Sequence, residues 1–314
     1  MKRIVASAPG KLVLTGEYAV LEGASAVVLA VDRRARVVLD DHDGDDYRIE
    51  APDIGVAVAH CRIEAAGRVR WVDVDGDRAA RLALVAAVLQ AAAQNGAPAP
   101  FRVGLDTREF VAADGVGLQA KLGLGSSAAI AVALSGAIHV REGRQPPSPR
   151  SLIDAHRRFQ GGRGSGLDVA ASLSGGATIY RRRRGEPQIT PAAWLGEIGL
   201  CCVWTGRAAS TRAMLEHMAA WRAREPALCA SLMEELAAVA AIAADALRAG
   251  NARALLDAVR DYAGGLDRLG RASGVDIVCA EHRAIGAIAA AHGVTYKSCG
   301  AGGGDVGVAL AIDA

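Results

Sequence analysis

The segment that most limits the possible folds is residues 126–140, SSAAIAVALSGAIHV, which is almost entirely small or apolar and has helical character. A helix that is apolar on nearly all sides is stable only when it is buried, so other elements must enclose it. The chain is long enough to do this, because 51% of its 314 residues are hydrophobic. That composition suits one large globular domain or two ordinary ones.

Strand-like and helical segments occur in both halves of the chain. Strands are predicted at 3–8, 11–15, 26–32, 35–40 and 175–184, and helices at 81–96, 126–140, 208–223, 226–249, 251–272 and 276–292. Residues 185–194 contain two prolines and little periodicity, which makes them the best candidate linker. The pattern predicts an α+β protein with two domains, residues 1–190 and residues 191–314.

The net charge gives no reason to expect a protein that coats nucleic acid. The 36 Lys and Arg residues are balanced by 34 Asp and Glu residues, for a formal charge of +2. The six cysteines form no CxxC pair, which is typical of reduced thiols in the cytoplasm. No uninterrupted apolar run reaches the roughly 18 residues of a membrane span. We expect a cytoplasmic protein, monomeric or homodimeric, that binds neither nucleic acid nor membrane.

A glycine-rich loop, Gly123-Leu-Gly-Ser-Ser-Ala128, leads into the apolar helix. It fits the loose GxGxxA pattern of dinucleotide-binding loops, but no acidic residue follows about 20 positions later, as that fold requires. The GxxxxGK[ST] phosphate loop is absent as well. Backbone N–H groups and serine hydroxyls at a helix start suit a phosphate and its Mg²⁺. The loop predicts an anion site, although close packing of the helix on a sheet would explain the same small residues.

Three further segments place a charged residue beside glycines. GGRGSGLDVAASLSGG, residues 161–176, places Asp168 after four glycines, where a helix N-cap is the ordinary alternative. YKSCGAGGGDVGVAL, residues 296–310, has more glycines than a hairpin needs, which a mobile surface loop would also explain. APGKLVLTGEYAVLEG, residues 8–23, carries Lys11 inside a strand pattern, where an exposed lysine is the alternative. The excess of glycine in the first two segments predicts that the backbone approaches a ligand.

Together these segments resemble the GHMP superfamily of small-molecule kinases over nearly the whole chain. The three motifs are PGKLVLTGEYAVL, GLGSSAA and GAGGGD. The GEY of the first motif and the segments QGGRGSGLDVAASLSGG and WTGRAASTRAML are similar to the phosphomevalonate kinase branch. The resemblance implies the two-domain GHMP kinase fold, with an N-terminal ribosomal-S5-like α/β domain and a C-terminal ferredoxin-like α+β domain. It also implies ATP-dependent phosphorylation of 5-phosphomevalonate to 5-diphosphomevalonate, with Mg²⁺ as cofactor.

The same resemblance implies which residues form the site. Lys11 and Asp168 would be catalytic and lie at the acceptor oxygen. ATP would be bound by Lys121, Gly123, Leu124, Gly125, Ser126, Ser127 and Ala128, with Ser127 as the Mg²⁺ ligand. The substrate would contact Lys11, Glu17, Tyr18, Gly166, Ser298, Gly300, Ala301, Gly302 and Gly303. Further candidate cations for the substrate's anionic groups are Lys121, Arg163, Arg212 and Lys297.

One feature departs from the mevalonate kinases, which carry a Mg²⁺-binding glutamate on the helix before this aspartate. The region here is DAHRRFQGG, which has no glutamate; Asp154 comes a turn too early, and His156 is a candidate for contacting the acceptor. Three alternatives stay open: another GHMP kinase acting on mevalonate or homoserine, a decarboxylase of the same fold, and an inactive nucleotide-binding regulator. A substrate screen would identify the other kinase, CO₂ release would identify the decarboxylase, and ATP binding without turnover would identify the inactive regulator.

Overall fold

The structure is a computed structural model that describes residues 3–94, 96–113, 119–162 and 164–312. Two compact units divide the chain. The first unit consists of Met1–Gly10, Val31–Phe110 and Gly125–Leu173. The second unit consists of Lys11–Ala30, Val111–Leu124 and Ser174–Ala314. The chain therefore passes between the units several times. The division into domains 1–190 and 191–314 stays a prediction.

The strands of the first unit form one sheet. β1 (Arg3–Thr15) pairs with β2 (Ala26–Asp41), and both strands continue into the second unit. The first unit also contains β3 (Tyr47–Ala51), β4 (Val56–Ile63), β5 (Val69–Trp71) and β6 (Phe101–Asp106). The second half of β2 pairs antiparallel with β6, and β6 lies parallel to β3. β4 then pairs antiparallel with both β3 and β5.

Five helices begin in the first unit: α1 (Gly76–Arg81), α2 (Ala83–Ala93), α3 (Ser126–Arg141), α4 (Pro149–Phe159) and α5 (Leu167–Ser174). Helices α2, α3 and α4 contact one another. Ala128, Leu134 and Ile138 of α3 are buried, so the predicted apolar helix and its burial are confirmed. Helix α4 begins at Pro149, after Ser148 accepts a hydrogen bond from the N–H of Ser151.

The second unit has three sets of paired strands. β7 (Val111–Ala113) pairs with β8 (Gln119–Lys121), and β9 (Ala177–Arg183) lies between the first half of β2 and β10 (Glu186–Ala192). β13 (Val306–Ile312) lies between β11 (Ile198–Trp204) and β12 (Thr295–Ser298). All of these pairs are antiparallel.

Four helices complete the second unit: α6 (Thr211–Arg224), α7 (Pro226–Arg248), α8 (Ala252–Ser273) and α9 (Ala280–Ala291). Their core contains Trp221 of α6, Leu236 of α7, and Tyr262 and Leu266 of α8. Tyr18 from the first sequence motif packs into the same core. This packing fixes the motif beside the helices.

The predicted linker at 185–194 is wrong, because residues Glu186–Ala192 form strand β10. Among the described strands β10 pairs only with β9, and it lies at the end of their sheet. An edge strand tolerates proline, since the missing N–H need not serve a second neighbour. Pro187 and Pro191 therefore indicated an edge strand here. The predicted breaks inside β1 and β2 are also wrong, since each is one continuous strand.

One of the described helices, α7, is long and apolar enough to cross a membrane by length and composition alone. The core helix of a water-soluble protein passes the same test. Here Met233, Leu236 and Ala240 of α7 are buried in the core that contains Tyr262. The packing of α7 thus accounts for these buried residues, while Leu228 and Ile242 of the same helix are exposed.

Candidate active site

The glycine-rich loop leads directly into α3. Gly125 is the N-cap of this helix and has a left-handed backbone (φ +79°, ψ +36°), which glycine adopts without strain. None of the described side chains caps α3. The N–H groups of its first turn are therefore left for another acceptor, and the positive end of the helix dipole lies at the same place. This end of α3 has the geometry that binds a phosphate.

Three polar side chains of the first unit form a row at this helix start, which we call the Ser127–His156–Asp168 row. Ser127 Oγ lies 3.0 Å from His156 Nε2, and His156 Nδ1 lies 3.6 Å from Asp168 Oδ2. His156 is fully buried, whereas 17% of the Asp168 side chain is exposed. The structure thus connects the predicted metal ligand to the predicted catalytic carboxylate through an imidazole.

Asp168 lies inside α5 rather than at its N-cap. The helix begins at Leu167, and Asp168 Oδ1 accepts a hydrogen bond from the N–H of Val169 at 2.9 Å. The capping alternative therefore does not apply. Gly166 allows α5 to pack closely on α4, because a Cβ at this position would lie 2.5 Å from Cγ2 of Ile153. The glycine positions Asp168 by packing, and its contact with substrate stays a prediction.

Lys11 is bonded to the glycine-rich loop within the second unit. Its N–H donates to the carbonyl oxygen of Leu124 at 2.8 Å, and its Nζ donates to that of Gly123 at 3.2 Å. The third motif lies close by, since a Cβ on Gly300 would be 3.8 Å from Lys11 Nζ. Parts of all three motifs therefore meet at this half-buried ammonium. That Lys11 and Asp168 meet at the acceptor oxygen stays a prediction.

A carboxylate that the sequence argument did not single out lies against Gly123. Asp305 follows the glycines of the third motif with a left-handed backbone (φ +56°), and a Cβ on Gly123 would overlap its carboxylate. Asp305 Oδ1 accepts a hydrogen bond from the N–H of Ala209 at 3.0 Å. Burial raises the pKa of Asp305, although the Ala209 N–H and the charge of Lys11 oppose the rise. An acidic residue directly after a run of glycines is the sequence signal that could have found it.

Glu17 and Tyr18 bind the third motif through hydrogen bonds. Glu17 Oε1 accepts from the N–H of Gly300 at 3.2 Å and forms an ion pair with Lys297. Tyr18 Oη donates to the carbonyl oxygen of Ala301 at 2.5 Å. Both side chains are buried, and burial, followed by the nearby Glu17, raises the pKa of Tyr18. Both residues therefore shape the loop, while their contact with substrate stays a prediction.

Packing explains part of the glycine content of the third motif. Gly302 has φ +88°, and a Cβ there would lie 2.7 Å from Cα of Ile277 and overlap the Ile277 carbonyl oxygen. The N–H of Gly303 donates to the same carbonyl oxygen at 3.0 Å. The loop thus lies on the backbone of residue 277. At Gly302 the close approach predicted from the sequence is to the protein itself.

The candidate cations for anionic substrate groups lie in different environments. Lys297 is buried, and its Nζ is bonded to Glu17 and to the carbonyl oxygen of Ser298. Lys121 is exposed at the end of β8. Arg163 lies outside the described residues, and the side chain of Arg212 is not among those described. Lys297 therefore serves an interior ion pair within its own unit.

Comparison with known proteins identifies a relative that aligns with nearly the whole chain, although no family model matches it. Phosphomevalonate kinase from Streptomyces sp. strain CL190 is 30% identical over 351 aligned residues, covering 98% of this chain and 90% of that protein. Mevalonate kinase from Pyrococcus horikoshii is 28% identical over 75% of this chain and 67% of its own length. The structure of Streptococcus pneumoniae phosphomevalonate kinase in complex with phosphomevalonate and AMPPNP superimposes with a TM-score of 0.78, at 20% identity over 99% of this chain and 93% of that one.

The fold and its relatives define a small-molecule kinase with a mixed α and β architecture, so the predicted fold class is confirmed. The chain belongs to the GHMP kinase superfamily, and within it the chain is most like phosphomevalonate kinase.

Proposed function

We propose that this protein transfers the γ-phosphate of ATP to 5-phosphomevalonate, which yields 5-diphosphomevalonate and ADP. The observation that carries the proposal is the Ser127–His156–Asp168 row, because it joins a partly exposed carboxylate to a serine at a helix start that none of the described side chains caps. The relatives support the choice of substrate. The Streptomyces phosphomevalonate kinase matches 98% of the chain, and the similar Streptococcus structure holds phosphomevalonate and AMPPNP.

Phosphoryl transfer passes through a loose transition state, so catalysis depends mainly on positioning and on charge stabilisation. In this proposal the backbone N–H groups from Gly123 to Ala128 bind the phosphates of ATP. Lys11, whose ammonium is bonded to the Gly123 carbonyl, stabilises negative charge on the transferring group. Each of these groups is fixed before substrate arrives, which lowers the reorganisation needed during the reaction.

The acceptor atom in this reaction is an oxygen of a phosphate group. The second ionisation of a phosphate monoester has a pKa of about 6, so most of the acceptor is already a dianion at pH 7. Asp168 then takes the proton from the remaining monoanion, or orients it by accepting a hydrogen bond at Oδ2. With an alcohol acceptor such as mevalonate, the same carboxylate would have to remove a proton in every turnover.

Mg²⁺ fits the site as a companion of ATP. Mg²⁺ prefers about six oxygen ligands and is commonly bound through one or two protein groups together with substrate phosphates. No cluster of three or more His, Cys, Asp or Glu side chains suited to a metal occurs among the described residues. Ser127 Oγ, at the start of α3, would supply one protein ligand. The ion would neutralise charge on the phosphates as the transfer proceeds.

We also propose a cytoplasmic location. All six cysteines are free thiols, and four of them are buried, which suits a reducing compartment. Whether the protein is a monomer or a homodimer stays a prediction.

The first test of the proposed function is coupled ADP release with Mg-ATP against 5-phosphomevalonate, mevalonate and homoserine, with the mass of each product measured. Turnover confined to 5-phosphomevalonate, with a diphosphate product and no CO₂, is the expected result. Turnover with mevalonate or homoserine alone would overturn the choice of acceptor. CO₂ release would identify a decarboxylase, and ATP binding without turnover would identify an inactive regulator.

A further inference from the structure

His156 is a buried polar side chain that the phosphoryl transfer described above does not use directly. It lies on α4, with one ring nitrogen toward Ser127 and the other toward Asp168, all three within the first unit. His156 Nδ1 is buried and has no hydrogen-bond partner among the described residues, because Asp168 Oδ2, at 3.6 Å, is just beyond hydrogen-bond range. A small shift of α5 toward α4 would complete this bond, and such bonds often shorten when substrate binds.

The two neighbours of His156 determine which ring nitrogen carries the proton in the neutral form of the side chain. An ionised carboxylate can only accept hydrogen bonds, so the ring nitrogen that faces Asp168 must carry the N–H. The other nitrogen of a neutral imidazole is then an acceptor, and the hydroxyl of Ser127 must donate to it. With its proton directed at His156, Ser127 Oγ keeps both lone pairs free of that bond, as a metal ligand requires.

We propose that His156 is a positioning residue that couples Ser127, on the nucleotide side, to Asp168, on the acceptor side. It holds the Ser127 hydroxyl with Nε2 and aims its Nδ1–H at Asp168, so that both groups are oriented by the same ring. An imidazole at this position adds no negative charge at the start of α3, where the proposed phosphates would bind. This inference rests on the proposed function for the roles of Ser127 and Asp168.

Two substitutions separate the two bonds of the ring. His156→Gln keeps an acceptor within reach of Ser127 but places no N–H at the Nδ1 position. His156→Asn keeps an N–H near Asp168 but is too short to reach Ser127. A matched control is His139→Gln, since His139 is a half-buried histidine of α3 whose Nδ1 lies 2.8 Å from the carbonyl oxygen of Ser135 on the same helix.

The first experiment needs no substrate. In the full chain at neutral pH, the ¹⁵N signals of the histidine side chains report the tautomer, and the His156 signal is the one missing from the His156→Gln spectrum. We expect the Nδ1–H tautomer. The Nε2–H tautomer would overturn the proposal, because the ring would then offer no donor to Asp168.

The second experiment measures Mg-ATP affinity by calorimetry and turnover with 5-phosphomevalonate. We expect His156→Gln to bind Mg-ATP within about twofold of wild type while kcat falls by about 10- to 100-fold. For His156→Asn we expect Mg-ATP affinity to fall as well. In a Ser127→Ala/His156→Asn cycle, the combined loss of affinity should be smaller than the product of the single losses. The His139→Gln control should match wild type.

A role in structure alone predicts a different result, in which affinity and kcat fall in parallel with the unfolding temperature in both His156 variants. Multiplicative losses in the double-mutant cycle would also overturn the coupling. If the wild-type chain turns over none of the acceptors, the proposed function fails. The tautomer and the Mg-ATP cycle would then still decide whether His156 orients Ser127.

Discussion

The ion pair between Lys297 and Glu17 offers the sharpest test of how the third motif is held. The two side chains are 0% and 4% exposed. Besides Glu17, Lys297 Nζ donates to the carbonyl oxygen of Ser298 at 2.5 Å and reaches that of Val13 at 3.5 Å. The ammonium also lies 5.8 Å from the ring centre of Tyr262. Lysine at position 297 thus satisfies acceptors from the first and third motifs at once.

Replacing Lys297 with methionine should strongly destabilise the protein. Methionine fills a similar volume but leaves the Glu17 carboxylate buried, with Oε1 bound only to the Gly300 N–H and Oε2 unpartnered among the described residues. Removing one partner of a buried ion pair costs about 3–5 kcal/mol. Since each kcal/mol shifts the unfolding temperature of a protein of this size by about 2–4 °C, we expect Tm to fall by about 6–20 °C.

The assay is thermal unfolding without ligands, followed by circular dichroism. Lys121→Met is the matched control, because Lys121 is exposed, and its Tm should stay near that of wild type. The double variant Lys297→Met/Glu17→Met should recover most of the lost stability, since it leaves no unpaired charge. A fall in Tm for Lys297→Met no larger than that of the control would refute the reasoning, and so would a double variant less stable than Lys297→Met alone.

The remaining predictions concern catalysis, packing and pH. Asp168→Asn should lower turnover by about 10²- to 10⁴-fold while Mg-ATP affinity, measured by calorimetry, stays near wild type; unchanged turnover would contradict its assigned role. Gly302→Ala should destabilise the chain far more than Gly300→Ala, because both have positive φ but only the first forces a Cβ into the Ile277 backbone; equal unfolding temperatures would argue against this. Burial lowers the pKa of His282 below its unfolded value of about 6.5. The neutral side chain therefore contributes fully to the stability of the fold above about pH 6.5, and this contribution is lost as the pH falls from there toward the folded pKa. His282→Gln should therefore reduce the loss of Tm between pH 7.5 and pH 5, and an unchanged slope would contradict the assignment.

The sequence predicted those helices and strands that are determined by residues close together in the chain. Helix α3 begins at Ser126 as expected, because glycine at the N-cap and an unbroken apolar run are readable in the chain itself. β10 was missed because proline indicates a break unless the strand is known to lie at an edge, and edge position depends on the whole sheet. The burial of Lys297 could not be predicted either, since its ion-pair partner Glu17 is 280 positions away in the sequence.

The candidate site was predicted unevenly for the same reason. Motif spacing named Ser127 and Asp168, but the imidazole between them depends on how α4 packs against α3 and α5. The position of Asp305 likewise could not be predicted from the sequence, because it is the fold that places its carboxylate against Gly123. Resemblance thus named the candidate ligand-binding residues, which stay predictions, whereas the residues that hold them in place had to come from the structure.

The charges of the Ser127–His156–Asp168 row have a consequence for the Mg²⁺ ion that we propose as cofactor. A carboxylate in the place of His156 would attract Mg²⁺ before nucleotide arrives, but it would also repel a phosphorylated acceptor. A neutral ring forgoes that attraction, and Ser127 alone supplies too few oxygen ligands to dehydrate Mg²⁺. In the proposed reaction Mg²⁺ would therefore enter together with ATP, whose phosphates would supply most of its oxygen ligands. An imidazole at this position therefore suits the proposed acceptor, which brings a phosphate of its own.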